Sequence, residues 1–331
     1  MSLKKAALLV GIDDYTGAPL PGCADDAKAM EVLLARNEDG SPNFACMTLL
    51  APIGGKGPQV TRVLLREKVK EILARKIDMA LIYFSGHGSV TSRGGFLVTQ
   101  DWTQGDEGVG MHDIVEMAND TNHCKVPQVT IIVDACFSGK LGSAPAIKED
   151  RAVLREGVAI LAASSQDEVA ILRGGRSLFT QFVCGALEGG GADVRGEVTS
   201  ASIYAYAEQI MGPLDQRPMY KANVARLDAL RTCIPIVSPA ILRKLPTYFP
   251  KPDHTYPLDP AYEPDHKQHP PGTTPDPAKE AIFEELQKLR DARLLVPDGA
   301  PALFFAAIRS KACKLTPLGQ FYWRLAKEGR L

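Results

Sequence analysis

Two short apolar runs constrain this chain more than any other feature. Met79-Ala80-Leu81-Ile82-Tyr83-Phe84 and Val129-Thr130-Ile131-Ile132-Val133 lack the strict alternation of a strand with one wet face. They read as strands buried on both faces, the hallmark of a mostly parallel sheet with helices on either side. Parallel neighbours need crossover segments, and stretches of helical spacing stand where crossovers are required. A first strand at 5–11 precedes a helix at 25–36 that carries Ala27, Met30, Leu33 and Leu34. A strand at 46–50 precedes a helix at 60–74 with Val63, Leu64, Val69, Ile72 and Leu73. The pattern continues with an edge strand at 95–98, a helix at 112–118, a strand at 158–163, helices at 178–187 and 201–211, and a last strand at 219–223. The expected class is α/β, a central mostly parallel sheet flanked by helices.

The punctuation changes near residue 235. Twelve of the 24 prolines fall between Pro235 and Pro277, among Asp, His, Thr and Tyr without apolar periodicity. That composition predicts an extended linker or surface-wrapping arm. Three parts follow: a domain over 1–235, a proline-rich arm over 236–277, and a small helical or winged-helix-like module over 278–331. Within the last, 278–293, 297–307 and 316–327 are the expected helices.

Charge and cysteine usage narrow the function classes. The 331 residues hold 38 Lys+Arg against 39 Asp+Glu, a formal net charge of −1, which argues against a broad electrostatic hold on nucleic acid or an anionic membrane. Only a local patch of Lys314, Arg324, Lys327 and Arg330 offers a nucleic-acid reading of the C-terminus. No apolar run approaches the roughly 20 residues of a membrane helix. The seven cysteines are scattered with no C-x-x-C pair, so free thiols in a reducing cytoplasm are the expectation.

Both apolar runs end in reactive side chains. Ser85-Gly86-His87-Gly88 follows the first, and Asp134-Ala135-Cys136-Phe137-Ser138-Gly139 follows the second. Reactive residues of open α/β sheets gather at the carboxyl ends of strands, where loops converge on a crevice. An imidazole beside a thiol can take its proton and later return it to a leaving amine, so His87 and Cys136 form a candidate catalytic pair. Nearby glycines allow close backbone approach, and the amides of Gly88 and Cys136 are candidate donors to an oxyanion. Taken singly, such a cysteine is usually a small buried hydrophobe and such a histidine a turn residue. Their coincidence at the ends of the two most apolar strands, 49 positions apart, favours the catalytic reading.

These blocks resemble the catalytic blocks of the caspase-like cysteine peptidases, whose caspase members carry the histidine about 50 residues before the cysteine. The segments Ala7-Leu8-Leu9-Val10-Gly11-Ile12-Asp13 and Leu20-Pro21-Gly22-Cys23-Ala24-Asp25-Asp26-Ala27 are most similar to metacaspases and prokaryotic caspase-like proteins, as is Gln166-Asp167-Glu168. The likeness spans about residues 4–224. It departs from true caspases at Asp-Ala-Cys-Phe-Ser-Gly, which replaces Gln-Ala-Cys-x-Gly. It implies a caspase-hemoglobinase fold and a cysteine endopeptidase acting through a thioester. Asp26 and Asp134 match the metacaspase specificity pocket, which implies peptide or protein substrates with Arg or Lys before the cut. The plainer readings are a helix-terminal acid for Asp26 and a turn acid for Asp134.

The dyad's chemistry requires no cofactor. The resemblance brings in Ca2+ as an activator, with Asp101, Asp106, Glu107 and Asp113 available but without EF-hand spacing. His112, His123, His254, His266 and His269 stand in polar surroundings and read as surface residues, and Lys140, Lys148, Arg151 and Arg155 are candidate self-cleavage points. The C-terminal module is the candidate site for a regulatory partner. Set against the peptidase is a caspase-fold scaffold with an idle dyad, which would tolerate Cys136→Ala.

Overall fold

The computed structural model describes residues 4–91, 94–136, 153–163, 176–211 and 218–331. They form two compact units, one over Met1–Ala192 and Glu197–Cys233, the other over Asp193–Gly196 and Ile234–Leu331.

The first unit is built on the expected sheet. Strands β1 (Lys5–Ile12), β2 (Phe44–Ala51), β3 (Met79–Thr91), β6 (Gln128–Cys136), β7 (Val158–Ala162) and β9 (Met219–Asn223) lie in the order β2-β1-β3-β6-β7-β9. All neighbouring pairs are parallel except β7 with β9. Helices α1 (Cys23–Ala35), α2 (Arg62–Leu73), α3 (Met111–Asn119), α4 (Leu178–Gly185) and α5 (Ser200–Met211) cover the two faces. Successive strand residues point to opposite faces, and the core divides accordingly. Ala6, Leu8 and Val10 of β1 and Ala80, Ile82 and Phe84 of β3 pack with α2 and α3. Ala7 and Leu9, with Met79, Leu81 and Tyr83, pack with α1, α4 and α5. Burial on both faces explains why these strands read as unbroken apolar runs. A short antiparallel pair, β8 (Glu197–Val198) with β10 (Arg231–Thr232), completes the unit.

The apolar run predicts a strand over 79–84, with Ser85-Gly86-His87-Gly88 directly after it. The chain instead stays extended to Thr91 but changes partner. His87 is the last residue of β3 paired with β6, and Gly88 is the first paired with β4 (Gly94–Thr103). Strand β4 is longer than the expected edge strand and pairs in turn with β5 (Asp106–Gly110). The strand leaves the parallel sheet at the position where the candidate histidine sits.

The second unit departs from the reading more clearly. The proline-rich stretch is not a free linker. Val237, Ile241, Leu242, Leu245, Phe249 and Leu258 share one buried core with Phe283, Leu286, Leu289, Leu303 and Cys313. Its prolines mark element starts: Pro239 opens α6 (Pro239–Arg243), Pro246 lies in the first turn of α7 (Leu245–Tyr248), and Pro277 opens α8 (Pro277–Asp291). A proline fits there because its missing N–H has no intrahelical partner in any case. The stretch also supplies β11 (Thr255–Pro257), which joins β12 (Leu295–Asp298) and β13 (Ala312–Leu315) in an antiparallel sheet of order β11-β13-β12. The helix expected at 297–307 is thus split into edge strand β12 and the short helix α9 (Leu303–Ile308), and Pro297 is tolerated because β12 pairs on one side only. Helix α10 (Pro317–Lys327) closes the unit, with Trp323 Nε1–H donating to the Phe249 carbonyl at 2.5 Å. The module is therefore mixed helix and sheet, and the arm is part of its core. Phe249→Ala is expected to lower stability by about 3–5 kcal/mol, read as a fall in the urea midpoint of this unit's transition. A free linker would show a change near zero.

Candidate active site

The parallel register of β3 and β6 brings the sequence candidates together. His87 stands directly opposite Cys136, and Ser85 opposite Asp134. Neighbouring strands lie about 4.8 Å apart, so a separation of 49 positions along the chain reduces to one rung of a ladder. Gly88, the other candidate oxyanion donor, lies one residue beyond, where β3 turns to β4. Phe137, Ser138, Gly139, the acidic motif at Gln166 to Glu168, and Lys140, Lys148 and Arg151 lie outside the described residues.

The imidazole of His87 is held from two sides. Its Nε2 is 2.9 Å from the Ala18 carbonyl oxygen. A carbonyl only accepts, so Nε2 carries the hydrogen and the neutral ring leaves Nδ1 with a free lone pair. The turn that presents Ala18 closes with its N–H donating to the Tyr15 carbonyl at 3.2 Å, and Gly17, at φ +76°, supplies the left-handed residue within it. The Tyr15 ring lies against His87 with centroids 4.7 Å apart. Its buried hydroxyl accepts the His87 backbone N–H at 3.1 Å and donates to the Val98 carbonyl at 3.2 Å. A Cβ on Gly86 would lie 2.4 Å from that hydroxyl, which accounts for the glycine before the histidine. Neither Tyr15 nor Ala18 carries a local motif, and their roles depend on the turn folding back over β3.

Beside the dyad lies a buried acidic pair. Helix α1 approaches the end of β1 closely because Gly11 has no side chain, and Asp13 accepts the N–H of Ala24 at 2.9 Å to cap the helix from outside it. Asp26 therefore sits over the sheet end, only 1% exposed. Its carboxylate accepts from Ser85 Oγ at 3.4 Å and from the Ser177 N–H at 3.2 Å, and pairs with Arg176 Nε at 3.1 Å. Asp134, also buried, accepts from the Thr180 hydroxyl, which contacts Tyr83 Oη at 2.6 Å. Burial first, and then the charge of Asp134, push the Asp26 carboxyl up to about 7 despite the Arg176 guanidinium, and burial raises Asp134 as well. Asp26 does sit in the first turn of its helix, as the plainer reading has it, but the groups around it come from the sheet and from the residues just before α4. Arg176, Ser177 and Thr180 were invisible as site residues, since their only local signal is a serine preceding a helix.

A buried carboxyl raised above its unfolded value binds its proton more tightly in the folded state. Its stabilising protonated form is lost as pH rises from about 4 to about 7. Asp26→Asn should remove a pH-dependent loss on the order of 4 kcal/mol. Urea unfolding at pH 4.5, 6 and 7.5 checks this, and identical slopes in wild type and variant would contradict it.

Asp106 and Asp113 pair with Arg62 and Arg66, and Asp101 accepts from Thr99 Oγ1 at 2.7 Å and the Arg62 N–H at 2.9 Å. Among the described residues no group of three or more His, Cys, Asp or Glu is arranged to hold a metal ion. Arg155 donates to the carbonyls of Ala118, Val126, Pro127 and Glu156, an anchoring role that argues against it as a cleavage point. Lys314 and Arg330 of the proposed basic patch are paired with Asp298 and Glu328. Burial pushes the thiols of Cys23 and Cys313 up to about 12 and those of Cys46 and Cys184 up to about 11, away from the thiolate form a nucleophile needs.

Residues 4–227 match the family model of the caspase domain, a peptidase family, and the matched span contains both strand ends. The chain belongs to that family. Among solved structures, protein GSU0716 from Geobacter sulfurreducens is 17% identical, with a TM-score of 0.50 over 70% of this chain and 99% of that one. Caspase-1 from Spodoptera frugiperda is 14% identical, with a TM-score of 0.49 over 70% and 92%. At such identities the first likeness shows the shared caspase fold alone. A search of curated proteins finds no match. Among the described residues no helix is long and apolar enough to cross a membrane.

Proposed function

We propose that this caspase-domain protein is a cysteine endopeptidase cleaving after Arg or Lys, with Cys136 as nucleophile and His87 as its base and acid. The observation that carries the reading is the register pairing of His87 with Cys136, together with the Ala18 carbonyl that leaves Nδ1 free to accept a proton. Nδ1 takes the thiol proton as sulfur attacks the scissile carbonyl carbon. The tetrahedral oxyanion forms where the amides of Gly88 and Cys136 can donate. The C–N bond breaks as the imidazolium returns its proton to the departing amine, leaving a thioester. Water, deprotonated by the same nitrogen, attacks the thioester, and the thiol is regenerated with release of the acid.

The buried pair Asp26 and Asp134 supports the preference for a basic residue, since carboxylates in a recess suit a guanidinium and repel an acidic side chain. Self-processing, action in a prokaryotic stress or defence response in the cytoplasm, Ca2+ activation and a regulatory partner at the C-terminal unit belong to the same reading. Matched fluorogenic peptides ending in Arg, Lys or Asp, assayed with calcium and with a chelator, test it. Hydrolysis of the basic peptides alone is expected, and cleavage only after Asp would overturn the pocket assignment. If the protein were a scaffold with an idle dyad, Cys136→Ala would leave its cellular function intact.

A further inference from the structure

We propose that Arg176 is a built-in occupant of the acidic pocket, holding the place of a substrate's basic side chain and leaving when an Arg or Lys binds. The inference rests on the proposed assignment of Asp26 and Asp134 to substrate recognition. Arg176 precedes Ser177, the residue before α4, and its backbone is tied down: its carbonyl accepts from Gln181 Nε2 at 3.1 Å, and the next N–H, that of Ser177, donates to Asp26. The side chain reaches from there to the opposite helix. Nε meets Asp26 Oδ1 at 3.1 Å, and Nη2 meets Cys184 Sγ at 3.4 Å.

Three features separate a placeholder from a permanent strut. The first is access: the Asp26 side chain is 1% exposed but that of Arg176 is 33% exposed, so Arg176 is the partner that solvent reaches. The second is the quality of the bond. A guanidinium can offer a carboxylate two parallel N–H groups, and here a single nitrogen reaches Asp26, with a thiol as the other partner among the described residues. The third is charge: Arg176 pairs with Asp26 alone of the two acids among the described residues, and Asp134 accepts from Thr180. An incoming guanidinium that engages Asp26 through both nitrogens would make the stronger contact.

The apparent affinity of any basic ligand is then reduced by the fraction of molecules whose pocket is filled from within. Binding of agmatine, a decarboxylated arginine, to the full-length Cys136→Ala protein isolates this step from catalysis. Arg176→Gln is expected to tighten agmatine about tenfold or more, and Arg176→Lys to restore weak binding. In the protein that retains Arg176, saturating agmatine should move the Arg176 Nε–H resonance, assigned by its loss in Arg176→Lys, to the position of a free side chain. That second measurement stands if Arg176→Gln does not fold. Unchanged or weaker binding in Arg176→Gln, agmatine binding that leaves the Arg176 resonance in place, or no agmatine binding to any variant would each overturn the proposal. Peptide hydrolysis separates the two readings. Cleavage after Arg with a KM that Arg176→Gln leaves unchanged would remove the placeholder and keep the peptidase. Tighter agmatine without hydrolysis of any peptide would do the reverse.

Discussion

Cys136→Ala is expected to lower hydrolysis of an Arg-terminated fluorogenic peptide by about 10,000-fold or more, with the circular dichroism spectrum unchanged. The size follows from the chemistry: alanine cannot form the thioester, so the route that divides one difficult step into two is lost. His87→Ala should cost a comparable factor, because the Nδ1 lone pair left free by the Ala18 contact both takes and returns the proton. Residues that act as a unit do not add, so the double variant should be little worse than either single one. The measurement is kcat/KM for the three proteins on one peptide. Hydrolysis persisting in Cys136→Ala would exclude the cysteine mechanism. A double variant falling by the product of the two single losses would mean that the residues act separately.

Gly11→Ala should produce a large loss of stability from a single methyl group. The added Cβ would lie 2.3 Å from the Cys23 carbonyl oxygen and 2.7 Å from the Ala24 Cα. Both are backbone atoms at the start of α1, which no rotamer change can move aside. A cost of about 3 kcal/mol is expected, read from the urea midpoint of the caspase domain. Gly57→Ala is the control, since its nearest neighbour would be 3.9 Å away, and it should change stability by less than about 0.5 kcal/mol. Gly11→Ala also displaces the helix that carries Asp26, so any surviving protein should discriminate less between Arg and Asp peptides. Equal midpoints for the two alanine variants would show that α1 does not depend on the close approach at Gly11.

Much of the caspase domain was legible because its signals are local. Apolar runs such as Met79 to Phe84 and Val129 to Val133 read as strands covered on both faces, and each carries its reactive residue at its own end. The second unit was misread for an equally local reason. Prolines at the first turn of a helix and prolines in an open linker leave the same mark in composition, and only the buried partners of Leu242, Phe249 and Leu258 tell them apart.

The sequence by itself thus determined the layered α/β architecture and the candidates His87, Cys136, Asp26 and Asp134, since hydrophobic period and residue chemistry are written along the chain. Tertiary structure alone decided which atoms surround them. Ala18 contributes a backbone oxygen, a group every residue has, and Tyr15 acts through a ring lying across a turn from His87. Arg176 meets Asp26 across 150 positions. No periodicity or spacing encodes such contacts, because they exist only once the sheet register and the packing of α1 and α4 have been set.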